Sequence, residues 1–424
     1  MLWQNDHLSE EHYQQLLTRL NKFPQGAPPS ELLYKILNNL LSDKEAGIMA
    51  RLPVKPFTAE QASRYLKMDL AETRQVLAGL ASRAVLVDVE RDGESVYTLP
   101  PPMPGFFEFS LMRLREDVDQ QVLSELYYQY CTVEDEFMGA LMDGETQIGR
   151  IFVNESVLQP EIKVLDYERA SEVIRTASHL GISTCYCRFK KDQVGEACDA
   201  PQDICMTFNA SAESLTKHGF AREVDVAESL DLLQVAYEHN LIQFGENART
   251  GLNFICNCCG CCCEALIAAR RFEERRAFRS NFMPEVQADT CTGCGKCVEV
   301  CPMEAITLVS AHDAQHPHRK KARVQTDICI GCGVCARVCP TQSIAMQSRP
   351  ERVLTPLDTT HRIVLMAIER GQLQNLIFDR QLLWSQRSLA ALLGALLKLP
   401  PLKQAMATKQ MRSRYLVALI NRFY

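Results

Sequence analysis

The sequence lacks any apolar run of the roughly 18–20 residues that a membrane-spanning helix needs. The longest candidate, Leu389 to Leu397, is broken by Lys398 and Pro400. The opening residues, MLWQNDHLSEEHY, carry acids and no apolar core run, unlike a secretory signal. No G-x-G-x-x-G follows a strand, and there is no Walker A sequence and no C-x3-C-x2-C radical run, so no nucleotide or radical chemistry is written here. Net charge is only −6, which favours no class of partner. With 46% hydrophobic and 23% charged residues, the composition is that of an ordinary globular protein, expected in the cytoplasm. Its 424 residues suggest several domains.

Cysteine is abundant, with 19 in the chain, and in a reducing compartment that means metal or redox chemistry rather than disulfides. Cys291, Cys294, Cys297 and Cys301, followed by Pro302, recur 38 residues later as Cys329, Cys332, Cys335 and Cys339, followed by Pro340. A doubled C-x2-C-x2-C-x3-C-P binds two cubane [4Fe–4S] clusters, each run lending its fourth cysteine to the other cluster. The expected ligand sets are therefore Cys291, Cys294, Cys297 and Cys339 for one cluster, and Cys329, Cys332, Cys335 and Cys301 for the other. Zinc takes four ligands, commonly in paired C-x2-C units, and fits less well. Gly293, Gly295, Gly331 and Gly333 let the backbone wrap closely. The insertion between the halves holds His312, His316 and His318, expected at an exposed hairpin tip and otherwise able to bind metal.

Ten more cysteines lie between residues 185 and 263: Cys185, Cys187, Cys198 and Cys205, then Cys256, Cys258, Cys259, Cys261, Cys262 and Cys263. Strand-like ISTCYC and LNFICN precede the two groups and EALIAARRFEERRAF reads as a helix after the second, so two strand ends are expected to meet. Free cysteine can simply pack in a core. Six cysteines within eight residues exceed that, because alternating side chains face both ways. The ten are candidate ligands of a third iron–sulfur cluster, not all needed, with Cys185, Cys187, Cys198, Cys205, Cys256 and Cys258 the least dispensable. A larger centre or a second cluster is open, zinc on Cys185, Cys187 and two of the later run is the alternative, and thiols left over could cycle as a disulfide. Arg188, Lys190 and Lys191 either offset thiolate charge or form a solvated strand end.

Before these, residues 31–49 carry Leu32, Leu33, Ile36, Leu37, Leu40 and Leu41 at helical spacing. Thr58 with Gln61, and Asp69 with Glu72, open two short helices, and VLVDVE and SVYTLP flank a turn at Asp92–Gly93. This is winged-helix order. Between Thr58 and Pro100, however, five basic residues (Arg64, Lys67, Arg74, Arg83, Arg91) face seven acids (Glu60, Asp69, Glu72, Asp88, Glu90, Asp92, Glu94). Phosphate binding needs clustered Lys and Arg, so protein docking or a structural role is favoured over DNA. The Pro-rich connector 100–113 is expected to pack its phenylalanines on a neighbour, with a long helix from Leu114 to about Leu141 after it. From Arg380 onward there are eight basic residues and no acid. With an apolar stripe including Leu389, Leu393 and Leu419, that tail could touch an anionic membrane or an acidic partner. A helical hairpin over the ferredoxin module is its plainer use.

The doubled run resembles bacterial dicluster ferredoxins. The whole arrangement is similar to large ferredoxin-like iron–sulfur proteins of anaerobic bacteria, which share a PPP-x-PGFFEF connector, a C-x-C-R element and an ICNCCGCCC element. Those stand here as Pro100–Phe109, Cys185–Arg188 and Ile255–Cys263. The resemblance implies cluster binding and redox work, and no defined substrate. The expected fold class is α+β and multidomain. A winged-helix-like domain would span 1–100 and a connector with a Cys-rich α/β domain 101–280. A dicluster ferredoxin module would follow at 281–350 and a basic helical tail at 351–424. The expected function is electron relay between a redox protein partner and the central site. Reduction of a small molecule or disulfide at that site, or redox-sensing transcription control, are the rivals.

Overall fold

The computed structural model describes residues 6–160, 162–272, 278–313 and 315–377. The basic stretch from Arg380 lies outside the described residues. No described helix is long and apolar enough to cross a membrane.

Helices α1 (Asp6–Leu20), α2 (Glu31–Leu40) and α3 (Asp43–Met49) come first. The helical spacing read from the sequence is what buries Leu33, Ile36, Leu37 and Leu40 of α2. Strand β1 (Phe57–Thr58) leads into α4 (Ala59–Leu66), where Thr58 and Gln61 satisfy each other's backbone amides as expected. Asp69 caps α5 (Leu70–Ala81) by accepting from the N–H groups of Ala71 and Glu72. Strands β2 (Val87–Arg91) and β3 (Glu94–Thr98) turn at Asp92 and Gly93, both at positive φ, and join β1 in an antiparallel sheet of order β1-β3-β2.

The connector buries Phe106 and Phe107, the latter opening α6 (Phe107–Phe109). Phe107 lies 5.0 Å from Tyr127 and 5.9 Å from Phe137, ring to ring, so the connector does pack on its neighbour. The single long helix expected after it is instead α7 (Gln120–Tyr128) and α8 (Glu136–Met142), joined by a π-helical turn. Asp119 starts α7 by accepting from the Val122 N–H, and extended Glu134 ends the turn. Leu114 stays exposed.

The centre alternates strands and helices: β4 (Gly149–Phe152), α9 (Ala170–Thr176), β5 (Leu180–Thr184), α10 (Tyr186–Gln193), β6 (Asp203–Phe208), α11 (Asn209–Lys217), β7 (Arg222–Glu223), α12 (Val226–Glu238), β8 (Ile242–Glu246), β9 (Phe254–Cys258) and α13 (Glu264–Arg271). The six strands form one sheet of order β4-β8-β9-β6-β5-β7, antiparallel at every pairing. Next come β10 (Phe282–Val286), α14 (Lys296–Glu299), β11 (Ile306–Ser310), β12 (Lys320–Val324), α15 (Val334–Arg337) and β13 (Ile344–Ser348). Strand β10 pairs with β13 and β11 with β12. His316 and His318 are exposed at the β11–β12 tip, as expected, and among the described residues the histidines there join no metal-ligand group. Helices α16 (Thr359–Glu369) and α17 (Leu373–Ile377) follow. The segment after Pro350 is fastened to the central sheet: buried Arg362 donates to Glu246 Oε1 on β8 at 2.8 Å.

Strand β2 is docked on α11. Asp88 accepts from Ser214 Oγ at 2.8 Å and Lys217 Nζ at 2.7 Å, and lies 2.8 Å from His218 Nε2. Burial alone would raise the Asp88 pKa, but His218, Lys217 and Ser214 outweigh it and hold the carboxyl well below the usual carboxylate range. A depressed carboxyl contributes stability that is present above its unfolded value, near pH 4, and lost as pH falls through its folded value. Asp88→Asn is therefore expected to lower stability by about 1–3 kcal/mol at pH 7. The deficit should shrink as the pH drops below about 4 in denaturant titrations; an equal deficit at every pH would contradict this.

Candidate metal centres

Strand geometry sorts the central cysteines. On β9, Cys256 and Cys258 stand two residues apart and share a face, while Asn257 points the other way, donating to the Ile204 carbonyl at 2.7 Å. Met206 of β6 pairs with Ile255 of β9, so Cys205 and Cys256 come next along the same ladder. Cys185 follows the end of β5, Cys187 sits in the first turn of α10, and Cys263 is the N-cap of α13.

These six thiols form a closed ring. Cys185 meets Cys187 and Cys205, and Cys187 meets Cys263. Cys263 meets Cys258, which meets Cys256, which returns to Cys205. Sulfur acidity alternates around it. Cys185, Cys263 and Cys256 accept from their neighbours and fall below the ordinary thiol value, Cys256 to about 6. Cys187, Cys205 and Cys258 donate and rise. Six thiols gathered on one buried face form a donor set for metal, which sulfur binds as thiolate.

The other four, Cys198, Cys259, Cys261 and Cys262, stand apart as a second group with every Sγ within 4.8 Å of the others. The structure divides the ten into six and four, and it exchanges two expected places: Cys198 joins the four, and Cys263 joins the six.

Arg188 lies at the junction. Its guanidinium donates to the carbonyls of Pro201 at 2.8 Å and Asn257 at 2.7 Å. Burial would lower its pKa, but the thiols of Cys185, Cys205 and Cys259 raise it further, fixing the charge. Arg188 and Lys190 are 0% exposed and Lys191 6%, which overturns the solvated strand end: α10 is buried on more than one side. Lys190 is paired with Glu264 of α13, which also accepts from Thr132 Oγ1 at 3.0 Å. Sequence reasoning missed Glu108, in the PGFFEF connector. Its carboxylate accepts from the Gly105 N–H at 2.8 Å, and burial, with Cys256 and Cys263 nearby, pushes its pKa up to about 8. The one available signal was an acid set among three phenylalanines.

The doubled run forms two cavities. One is lined by Cys301, Cys329, Cys332 and Cys335. The other is lined by Cys339, Cys291, Cys294 and Cys297. Each thus gathers three cysteines of one run and the last of the other. The halves repeat in detail: the Ala305 N–H points at Cys301 Sγ and the Ser343 N–H at Cys339 Sγ, both at 3.3 Å, each four residues after the last cysteine of its run. Gly331, at φ +73°, has no room for a side chain, since a Cβ would fall 2.0 Å from the Phe282 carbonyl oxygen. Four thiols, apolar walls and amides aimed at sulfur suit a cubane in each cavity.

The two regions touch. Gly260, between Cys259 and Cys261, packs on Pro302, and a Cβ there would lie 3.0 Å from the proline's Cβ and oxygen. Arg270 of α13 clamps the contact, donating to the carbonyls of both Pro302 and Gly260. Cys258, Cys263 and Cys329 belong to one apolar core, with Cys187, Cys256, Cys301 and Cys332 packed against it. The cavity lined by Cys301 and Cys329 is therefore the inner one. The other is outer, with Cys294 exposed.

Residues 290–343 match the family model of the 4Fe-4S dicluster domain. No curated protein and no solved structure matches the chain. The chain thus carries a 4Fe–4S ferredoxin-type domain and, against it, a cysteine-rich group with metal-ligand spacing.

Losing one partner of a buried ion pair leaves the other charge stranded, at about 3–5 kcal/mol. Lys190→Met is expected to destabilise by that amount, and adding Glu264→Leu to recover most of it. Chemical denaturation of the single and double variants checks this; equal losses in both would mean that the pair is not what holds α10 to α13.

Proposed function

We propose that this chain is an iron–sulfur electron-transfer protein of the cytoplasm. In this reading the outer cavity holds a [4Fe–4S] cluster on Cys291, Cys294, Cys297 and Cys339. The inner holds one on Cys329, Cys332, Cys335 and Cys301, and the six-thiol ring holds a third iron–sulfur centre. The observation that carries it is the clamp of Gly260 on Pro302, which sets the loop between the two central groups against the wall of the inner cavity. A bound cluster takes up and releases single electrons, at a potential set by charge, hydrogen bonding and exposure.

The protein's residues then have distinct tasks. Exposed Cys294 leaves the outer cavity open to a redox protein partner, the source or sink of electrons in a chain with no nucleotide fingerprint. Buried Arg188 supplies positive charge where thiolates collect, which favours the reduced state. In the winged-helix-like region β2 is occupied by α11, which supports docking rather than DNA binding; a salt-dependent shift of DNA by the protein would speak against that. The basic tail, outside the described residues, remains a proposed contact for an acidic partner or a membrane surface.

One feature favours a second reading, an oxidoreductase acting on a small molecule or disulfide at the ring. Glu108, with its pKa near 8 and next to Cys256 and Cys263, is a protonatable group where a substrate would need one.

Iron and acid-labile sulfide per chain, measured on anaerobically purified protein, test the relay. About twelve irons or more are expected, and about eight would leave only the two cubanes and remove the third centre.

A further inference from the structure

Cys198, Cys259, Cys261 and Cys262 are too close together for a cubane. Cys198 Sγ lies 3.6 Å from Cys259 Sγ and 3.8 Å from Cys262 Sγ, and Cys262 Sγ lies 3.8 Å from Cys261 Sγ. A single tetrahedral ion with metal–sulfur bonds of about 2.3 Å requires sulfur–sulfur edges of about 3.8 Å. A cubane places one iron at each of four corners and splays its thiolates further apart. The eight ferredoxin cysteines behave that way: among the described residues, none of them belongs to a group this tight. A tetrahedron of four thiolates suits zinc or a single iron, and the metal count separates the two.

We infer that these four cysteines form a separate, closed site for one zinc ion, distinct from the six-thiol ring. Three of the ligands flank Gly260, the residue seated on Pro302, and the fourth comes from the loop between α10 and β6. An ion there ties that loop to the strand β9 side of the ring and fixes the loop that abuts the inner cavity. Zinc has no redox chemistry, so the site's role is to hold a distance, not to carry an electron. The same division explains the crowding in CNCCGCCC: Cys256, Cys258 and Cys263 serve one centre, and Cys259, Cys261 and Cys262 the other. The inference does not depend on the relay, because zinc and ring iron are counted separately.

Metal analysis of the full chain, purified anaerobically without chelator, tests it. About one zinc per chain is expected beside the iron. The double variant Cys198→Ser/Cys261→Ser should lose that zinc, with iron and sulfide unchanged. Loss of iron in the variant, or zinc that persists in it, overturns the assignment. Zinc-edge X-ray absorption on the unaltered protein guards against a variant that fails to fold. Four sulfurs at about 2.3 Å support the site; nitrogen or oxygen neighbours, or a second metal close by, overturn it.

Discussion

Strand pairing between β6 and β9 is the constraint from which the central architecture follows. It fixes Cys205 beside Cys256, and the two-residue period of a strand then places Cys258 on the same face. A slip of one residue would turn Cys256 and Cys258 away and bring Asn257 inward, emptying the ring of two sulfurs. The chain ends β9 at Cys258, so the cysteines after it are free of the strand period and turn to the second group. One irregular loop thus supplies both thiol groups from consecutive residues.

Charge follows the sulfurs. Gathering thiolates in a buried space is unfavourable unless cations are near, and α10 brings Arg188 with its fork spent on two backbone carbonyls. That anchoring makes Arg188 a fixed charge and not a mobile ligand. Lys190 has its own acid, Glu264, so it fastens α10 to α13 across the back of the ring. The connector closes the ring from another side with Glu108 and a packed set of aromatic rings. Each of the three motifs that set this chain apart therefore meets at one place.

The ferredoxin-type domain was legible from its cysteine spacing, because a metal cluster dictates where ligands fall along the chain. Capping at Thr58 and the β2–β3 hairpin were legible too, since local chemistry decides them. The split of ten cysteines into six and four was not. It depends on register between β6 and β9, a pairing of residues 49 apart, and on where β9 stops. For Arg188 and Lys190 the sequence left thiolate compensation and a solvated strand end equally open; their burial arises from tertiary packing against thiols and Glu264. The expected long helix starts late because Asp119 caps it at Gln120, and it breaks at the π-helical turn where Glu134 is extended.

The central claim is that the six-thiol ring holds an iron–sulfur centre in contact with the inner cavity. Paramagnetic resonance of the fully reduced protein, compared with a Cys185→Ser/Cys263→Ser variant, tests it most directly. The account predicts a spectrum broadened by interaction among three centres in the parent, collapsing in the variant to that of two coupled [4Fe–4S] clusters. Identical spectra from the two proteins would contradict it.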